Sequence, residues 1–160
     1  MKKFLFYLLV FMTGFSMACS AGKVESGVQK GSQYDKPGYV TKIVDGRLWV
    51  FKKDSKELSK FESHGELAKH VIRPGAGPNK MTIKAPDRDT IVEYMGAKEG
   101  FVVQAVDNRL WVFIPNSKSL KKFREHGELA KHVIRPAAGP GRITLKAPDR
   151  ETIEKYLAAK

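Results

Sequence analysis

Apolar residues along this chain fall into three kinds of grouping. Phe4–Met12 is apolar without a break for nine residues, and Thr13–Ala18 continues with small and apolar side chains. That run is shorter than the roughly 20 residues a bilayer span needs. Placed behind Lys2 and Lys3, it has the makeup of a secretory signal, so residues 1–18 are set apart from the fold. The second grouping is sparse. Ser20–Lys36 is rich in Gly, Ser and charge, with too little apolar surface to order itself, and residues 19–37 read as a flexible tether. The third begins at Gly38, where strand-like and helix-like periods alternate.

Tyr39–Val44 is β-rich, and Asp45-Gly46 behind it is a two-residue hairpin signal, since both positions must reach positive φ. Leu48-Trp49-Val50-Phe51 is apolar on both faces and predicts a central, covered strand. Asp54 or Ser55 caps a helix running to about Ser63, with Leu58 and Phe61 inward and Gly65 as its stop. Met81-Thr82-Ile83-Lys84 alternates, which predicts a strand with one wet face. Pro86–Asp89 opens a last helix with Ile91, Tyr94 and Met95 inward, echoed later by Ile153, Tyr156 and Leu157.

The whole pattern then returns. Residues 38–98 and 100–160 match without gaps at 39 of 61 positions, with Glu99 alone between them. Differences cluster: Lys52–Ser63 changes at seven of twelve positions, whereas "HGELAKHVIRP" (His64–Pro74 and His126–Pro136) does not change at all. The identical block is therefore constrained by packing or by a ligand. The predicted fold class is α+β: two tandem ββαβα repeat units of about 60 residues. A unit of that size buries only about 60% of its unfolded surface, so the two are expected to pack as a pseudo-symmetric pair.

Cys19 is the only cysteine and stands just past Ser16-Met17-Ala18. The site resembles the bacterial lipobox, whose cysteine carries a diacylglycerol, although Ser16 stands where leucine is usual. Ordinary signal-peptide cleavage at the same small residues is the alternative. One cysteine excludes an intramolecular disulfide and a thiolate-rich metal site. Either reading makes the protein exported, to the bacterial cell envelope, facing the periplasm or the exterior.

Charge narrows the partners. The chain carries 29 basic and 17 acidic residues, and each unit holds 12 basic residues, against eight acidic in the first and six in the second. A basic exported protein meets anionic envelope polymers, lipid headgroups or an envelope protein rather than nucleic acid. Arg73, Lys80, Arg135 and Arg142 flank the Ala-Gly-Pro loops and are the expected anion contacts, with Lys69 and Lys131 nearby. The loop is not a phosphate cradle of the GxG kind, because Gly75 becomes Ala137 in the second unit. A turn with a backbone need for Gly77 and Gly139 is the plainer reading.

All four histidines lie in the repeated block: His64, His70, His126 and His132. Their five-residue gap does not put two rings on one helical face, as an i, i+4 pair would. Pooled, they would bind zinc or copper through imidazole nitrogens; the alternative is a helix-end histidine and a half-buried one bonded to a carbonyl. No cofactor is expected on the leading reading. Catalysis is not expected either: Asp87 and Asp149 read as helix caps, Asp45 and Asp107 as turn residues, and no serine sits in a nucleophile turn. Trp49 and Trp111 are candidates for core or inter-unit packing, with ring stacking on a ligand as the alternative. The leading reading is a non-enzymatic, lipid-anchored envelope protein with a basic, duplicated surface.

Overall fold

The computed structural model describes residues 32–160. The signal region, Cys19 and most of the tether lie outside the described residues.

Each unit folds as a four-stranded mixed sheet with two helices. In the first, β1 (Tyr39–Val44) and β2 (Arg47–Lys52) form an antiparallel hairpin. Its turn residues Asp45 and Gly46 sit at φ 50° and 69°, and Asp107 and Asn108 repeat this at 50° and 58°. Helix α1 (Lys56–His64) follows, capped by Ser55, whose hydroxyl accepts from the Leu58 N–H, and ended by Gly65 at φ 79°. β3 (Val71–Arg73) pairs antiparallel with β4 (Ile83–Ala85), which lies parallel to β2, so the sheet order is β1-β2-β4-β3. Helix α2 (Arg88–Gly96) starts from Asp87, whose carboxylate accepts from the Thr90 N–H at 2.6 Å. The second unit repeats this with β5 (Val102–Val106), β6 (Arg109–Phe113), α3 (Lys118–His126), β7 (Val133–Arg135), β8 (Thr144–Ala147) and α4 (Arg150–Ala158), in sheet order β5-β6-β8-β7.

Three expectations are corrected. The repeated block contains a short strand, β3, so each unit is ββαββα; its Val71 and Ile72 are exposed edge residues. β4 has no wet face, because Lys84 is buried along with Ile83 and Ala85. Leu157 is exposed, whereas its counterpart Met95 packs against the core.

β2 and β6 are buried on both faces, as their apolar runs require. On one face, Trp49 and Phe51 meet Phe61 and Leu67; Trp111 and Phe113 meet Leu120, Phe123 and Leu129 in the same way. On the other face, Leu48, Val50, Ile83 and Ala85 join Leu110, Val112 and Leu145 in a single apolar cluster that draws on both units. Helix α2 lies within it, packed on β2 and β4 and also on β5 and β6. Helix α4 packs on β6, β7 and β8.

Several contacts tie the units together. The Glu93 carboxylate, on α2, accepts from the Tyr39 hydroxyl (2.9 Å) and the Ala105 N–H (2.9 Å), and pairs with Lys52 at 2.6 Å. The Tyr156 hydroxyl donates to the Gly96 carbonyl, and Lys98 donates to the carbonyls of Tyr156 and Ala159 at the end of α4. The Tyr94 hydroxyl donates to the Tyr34 carbonyl, and Lys36 lies over the Tyr94 ring as Lys98 lies over that of Tyr156. The segment before β1 thus makes, in the first unit, the contacts that the end of α2 makes in the second.

Candidate functional site

The identical block is best understood from its contacts. His64 ends α1, and its Nδ1–H donates to the Lys60 carbonyl at 3.0 Å. Gly65 turns the chain, and Glu66 then reaches back to Lys84 at 3.0 Å. The Lys84 ammonium sits 4.8 Å over the Trp49 ring, so a buried lysine is balanced by a carboxylate on one side and an aromatic face on the other. Lys84 holds the exposed Glu66 carboxyl below its usual range, chiefly by hydrogen bonding. His70 donates from Nδ1 to the Leu67 carbonyl at 2.9 Å and sets its ring edge-on to Trp49, with centroids 5.1 Å apart. The second unit repeats the contacts of Glu66, Lys84 and His70: Glu128 with Lys146 at 3.0 Å, Lys146 4.7 Å over Trp111, and His132 on the Leu129 carbonyl and against Trp111. Packing and hydrogen bonding therefore account for Glu66, Leu67 and His70 and their copies. Trp49 and Trp111 are core residues of their own units, each 2% exposed.

Of the candidate metal ligands, His64, His70 and His132 are held by these carbonyl bonds, and His126 is exposed at the end of α3 with its Nε2 3.9 Å from Glu125. Among the described residues no three His, Cys, Asp or Glu side chains are placed to hold one ion.

The candidate anion contacts lie on two edge strands, Arg73 and Arg135, and in two turns, Lys80 and Arg142. Arg73 lies against the second unit's turn, so close to Gly141 that a Cβ there would collide with its guanidinium; Arg142 is the next residue. Arg135, the copy of Arg73, is exposed. Lys80, the copy of Arg142, is exposed in its own turn beside Asn79, which bonds to the Tyr34 hydroxyl. The glycines of the Ala-Gly-Pro loops are also explained differently than expected. Gly77 and Gly139 have ordinary φ values of −86° and −92°. What excludes a side chain is space: a Cβ at Gly139 would lie 2.8 Å from Leu145 and 3.0 Å from the Ile143 carbonyl. Ala137, in turn, keeps the left-handed φ of Gly75, 53° against 66°, so the loop survives the loss of its glycine.

Lys69 and Lys131 stand at the lips of two matching grooves. The first, about 500 Å³, is lined by Glu57, Lys60, Leu67, Ala68, Lys69, Pro86 and Asp87. The second, about 540 Å³, is lined by Lys118, Ser119, Lys122, Leu129, Ala130, Lys131, Pro148 and Asp149. They have the same walls and matching lysines, Lys56, Lys60 and Lys69 against Lys118, Lys122 and Lys131, and differ in charge where Glu57 of the first is Ser119 in the second. Asp149 is already engaged as the cap of α4, accepting from the Thr152 N–H at 2.7 Å. Lys118 and Lys122 were not singled out by sequence. The signal was there, in the drifting segment: Glu57, Ser59 and Glu62 become Ser119, Lys121 and Arg124. Read for charge rather than identity, that drift marks the solvent face of α3 beside the groove.

Comparison with protein-family models, curated proteins and solved structures finds no match to this chain.

Proposed function

We propose that this is a non-enzymatic exported protein of the bacterial cell envelope, anchored through a lipid on Cys19, which presents a basic surface to anionic envelope lipid. The two units stack as a pseudo-symmetric, head-to-tail pair, with α2 filling the place between the sheets. The supporting observation is the surplus of uncompensated cations. Residues 32–160 carry 25 basic and 16 acidic side chains, a net +9, and five of the lysines are held in ion pairs with carboxylates. Such a surface is drawn to a phosphate-rich layer and released as salt screens it. The experiment is retention of the chain from Ser20 onward, which keeps every described residue, on phosphatidylglycerol vesicles over a rising salt series. Retention at low salt that falls away with added salt supports the reading; no retention even at low salt removes it.

A further inference from the structure

We infer that anion binding is concentrated in the second unit, at the groove between α3, the Leu129–Lys131 loop and the Pro148–Asp149 turn, and that its ligand is the phosphodiester headgroup of an anionic membrane lipid. This rests on the proposed function and gives it an address.

The two units supply their own comparison. Helix α1 carries Lys56 and Lys60 against Glu57 and Glu62, a net charge of zero. Helix α3, on the same scaffold with the same serine cap, carries Lys118, Lys121, Lys122 and Arg124 against Glu125 alone. All four cations are exposed, as is Lys131 across the groove. Among the described residues none of the five is in an ion pair with a carboxylate, and neither are Lys56, Lys60 and Lys69; what sets the first unit apart is Glu57 and Glu62 on the same helix, Glu62 pairing with Lys42 at 3.3 Å. The inward positions of α3, by contrast, keep the character of those in α1, with Leu120 and Phe123 for Leu58 and Phe61. Divergence has thus left the packing face alone and changed the sign of the solvent face. The shared packing face does not account for that change; attraction to an anionic ligand would.

The arrangement also favours a surface of phosphates over a single enclosed ion. The groove is open, and the cations continue from it around the outward face of α3, so several headgroups are met at once. Each basic side chain close to an anionic bilayer adds about fivefold to binding. The chain outside the described residues fits this use. From Cys19 to Ser32 is 13 residues, so a lipid on Cys19 would keep the folded units close to the leaflet.

The test uses matched charge changes in the chain from Ser20 onward. Lys118→Ser/Lys122→Ser/Lys131→Ser removes three cations from the second groove; Lys56→Ser/Lys60→Ser/Lys69→Ser removes their three counterparts from the first. All six are exposed, and thermal melts of each variant confirm folding. On phosphatidylcholine vesicles with and without phosphatidylglycerol, the wild type is expected to bind only those with the anionic lipid. The second-groove triple variant should bind them about 100-fold more weakly, and the first-groove variant at most a few-fold. As a gain of function, Glu57→Ser/Glu62→Arg should strengthen binding. Equal losses in the two triple variants would overturn the assignment to the second groove and leave a diffuse basic surface. Binding to glycerol phosphate in solution without binding to vesicles would overturn the lipid headgroup as ligand. Absence of any binding by the wild type would remove the proposed function itself.

Discussion

At the scale of single residues, the second copy of the Ala-Gly-Pro loop carries a measurable strain. Ala137 holds φ 53°, a conformation its counterpart Gly75 adopts at 66°. A left-handed alanine costs about 1 kcal/mol. Ala137→Gly should therefore raise stability by up to that amount, and Gly75→Ala should lower it similarly, both read from urea midpoints at constant slope. Glu93 is the opposite case, a buried carboxylate with three partners on two units. Glu93→Ala leaves the Tyr39 hydroxyl and the Ala105 N–H unpaired and should cost about 3 kcal/mol by the same measurement. Tyr94 and Tyr156 bring a pH dependence. Burial pushes both phenols up to about 12, whereas an unfolded tyrosine ionises near 10. Their stabilisation is complete below about pH 10 and is lost as pH rises through about 12. Stability should fall over that window, with tyrosinate absorbance rising together with unfolding.

At the scale of elements, α2 and α4 are one sequence pattern in two environments. Thr90, Ile91, Val92, Glu93, Tyr94 and Gly96 are buried in α2; only Thr152, Ile153 and Tyr156 are buried in α4. Val92 and Glu93 become Glu154 and Lys155, and Lys155 forms a surface pair with Glu151 at 2.6 Å. Glu154 and Lys155 face solvent, whereas the matching positions of α2 are covered by the second unit's β5 and β6. Val92→Glu should thus destabilise by several kcal/mol through a buried, unpaired carboxylate, while Glu154→Val should change stability by less than about 0.5 kcal/mol, both in urea. Most elements were legible from sequence for local reasons: the Asp-Gly turn, the Ser and Asp caps, the Gly65 stop and the double-sided apolar β2 all act within a few residues. What was not legible depends on distant partners. β3 is three residues long and lies at an exposed edge, so no apolar period announces it. Lys84 imitates a solvent position until Trp49 and Glu66 are placed around it. The second groove went unread for another reason: its lysines, on α3 and the Leu129–Lys131 loop, meet the Pro148–Asp149 turn only through the fold.

At the scale of the whole molecule, both units contribute to one apolar cluster, with α2 buried on faces that belong to each. A unit of about 60 residues is marginal alone. Residues 38–98 expressed by themselves should lack a cooperative thermal transition, since the β5 and β6 surface that covers α2 is missing; a melt as high and sharp as the intact chain's would show that the halves do not depend on each other. The same duplication underlies the function proposed here, two copies of one scaffold of which the second carries the larger cationic surplus on the helix after its hairpin. The most direct measurement is a residue-resolved amide NMR titration of the chain from Ser20 with phosphatidylglycerol nanodiscs. Perturbations centred on Lys118–Arg124 and Leu129–Lys131, with Lys56–Glu62 and Leu67–Lys69 unmoved, are the predicted result. Equal perturbation of the two grooves, or a footprint at the junction around Tyr39 and Phe101, would contradict it.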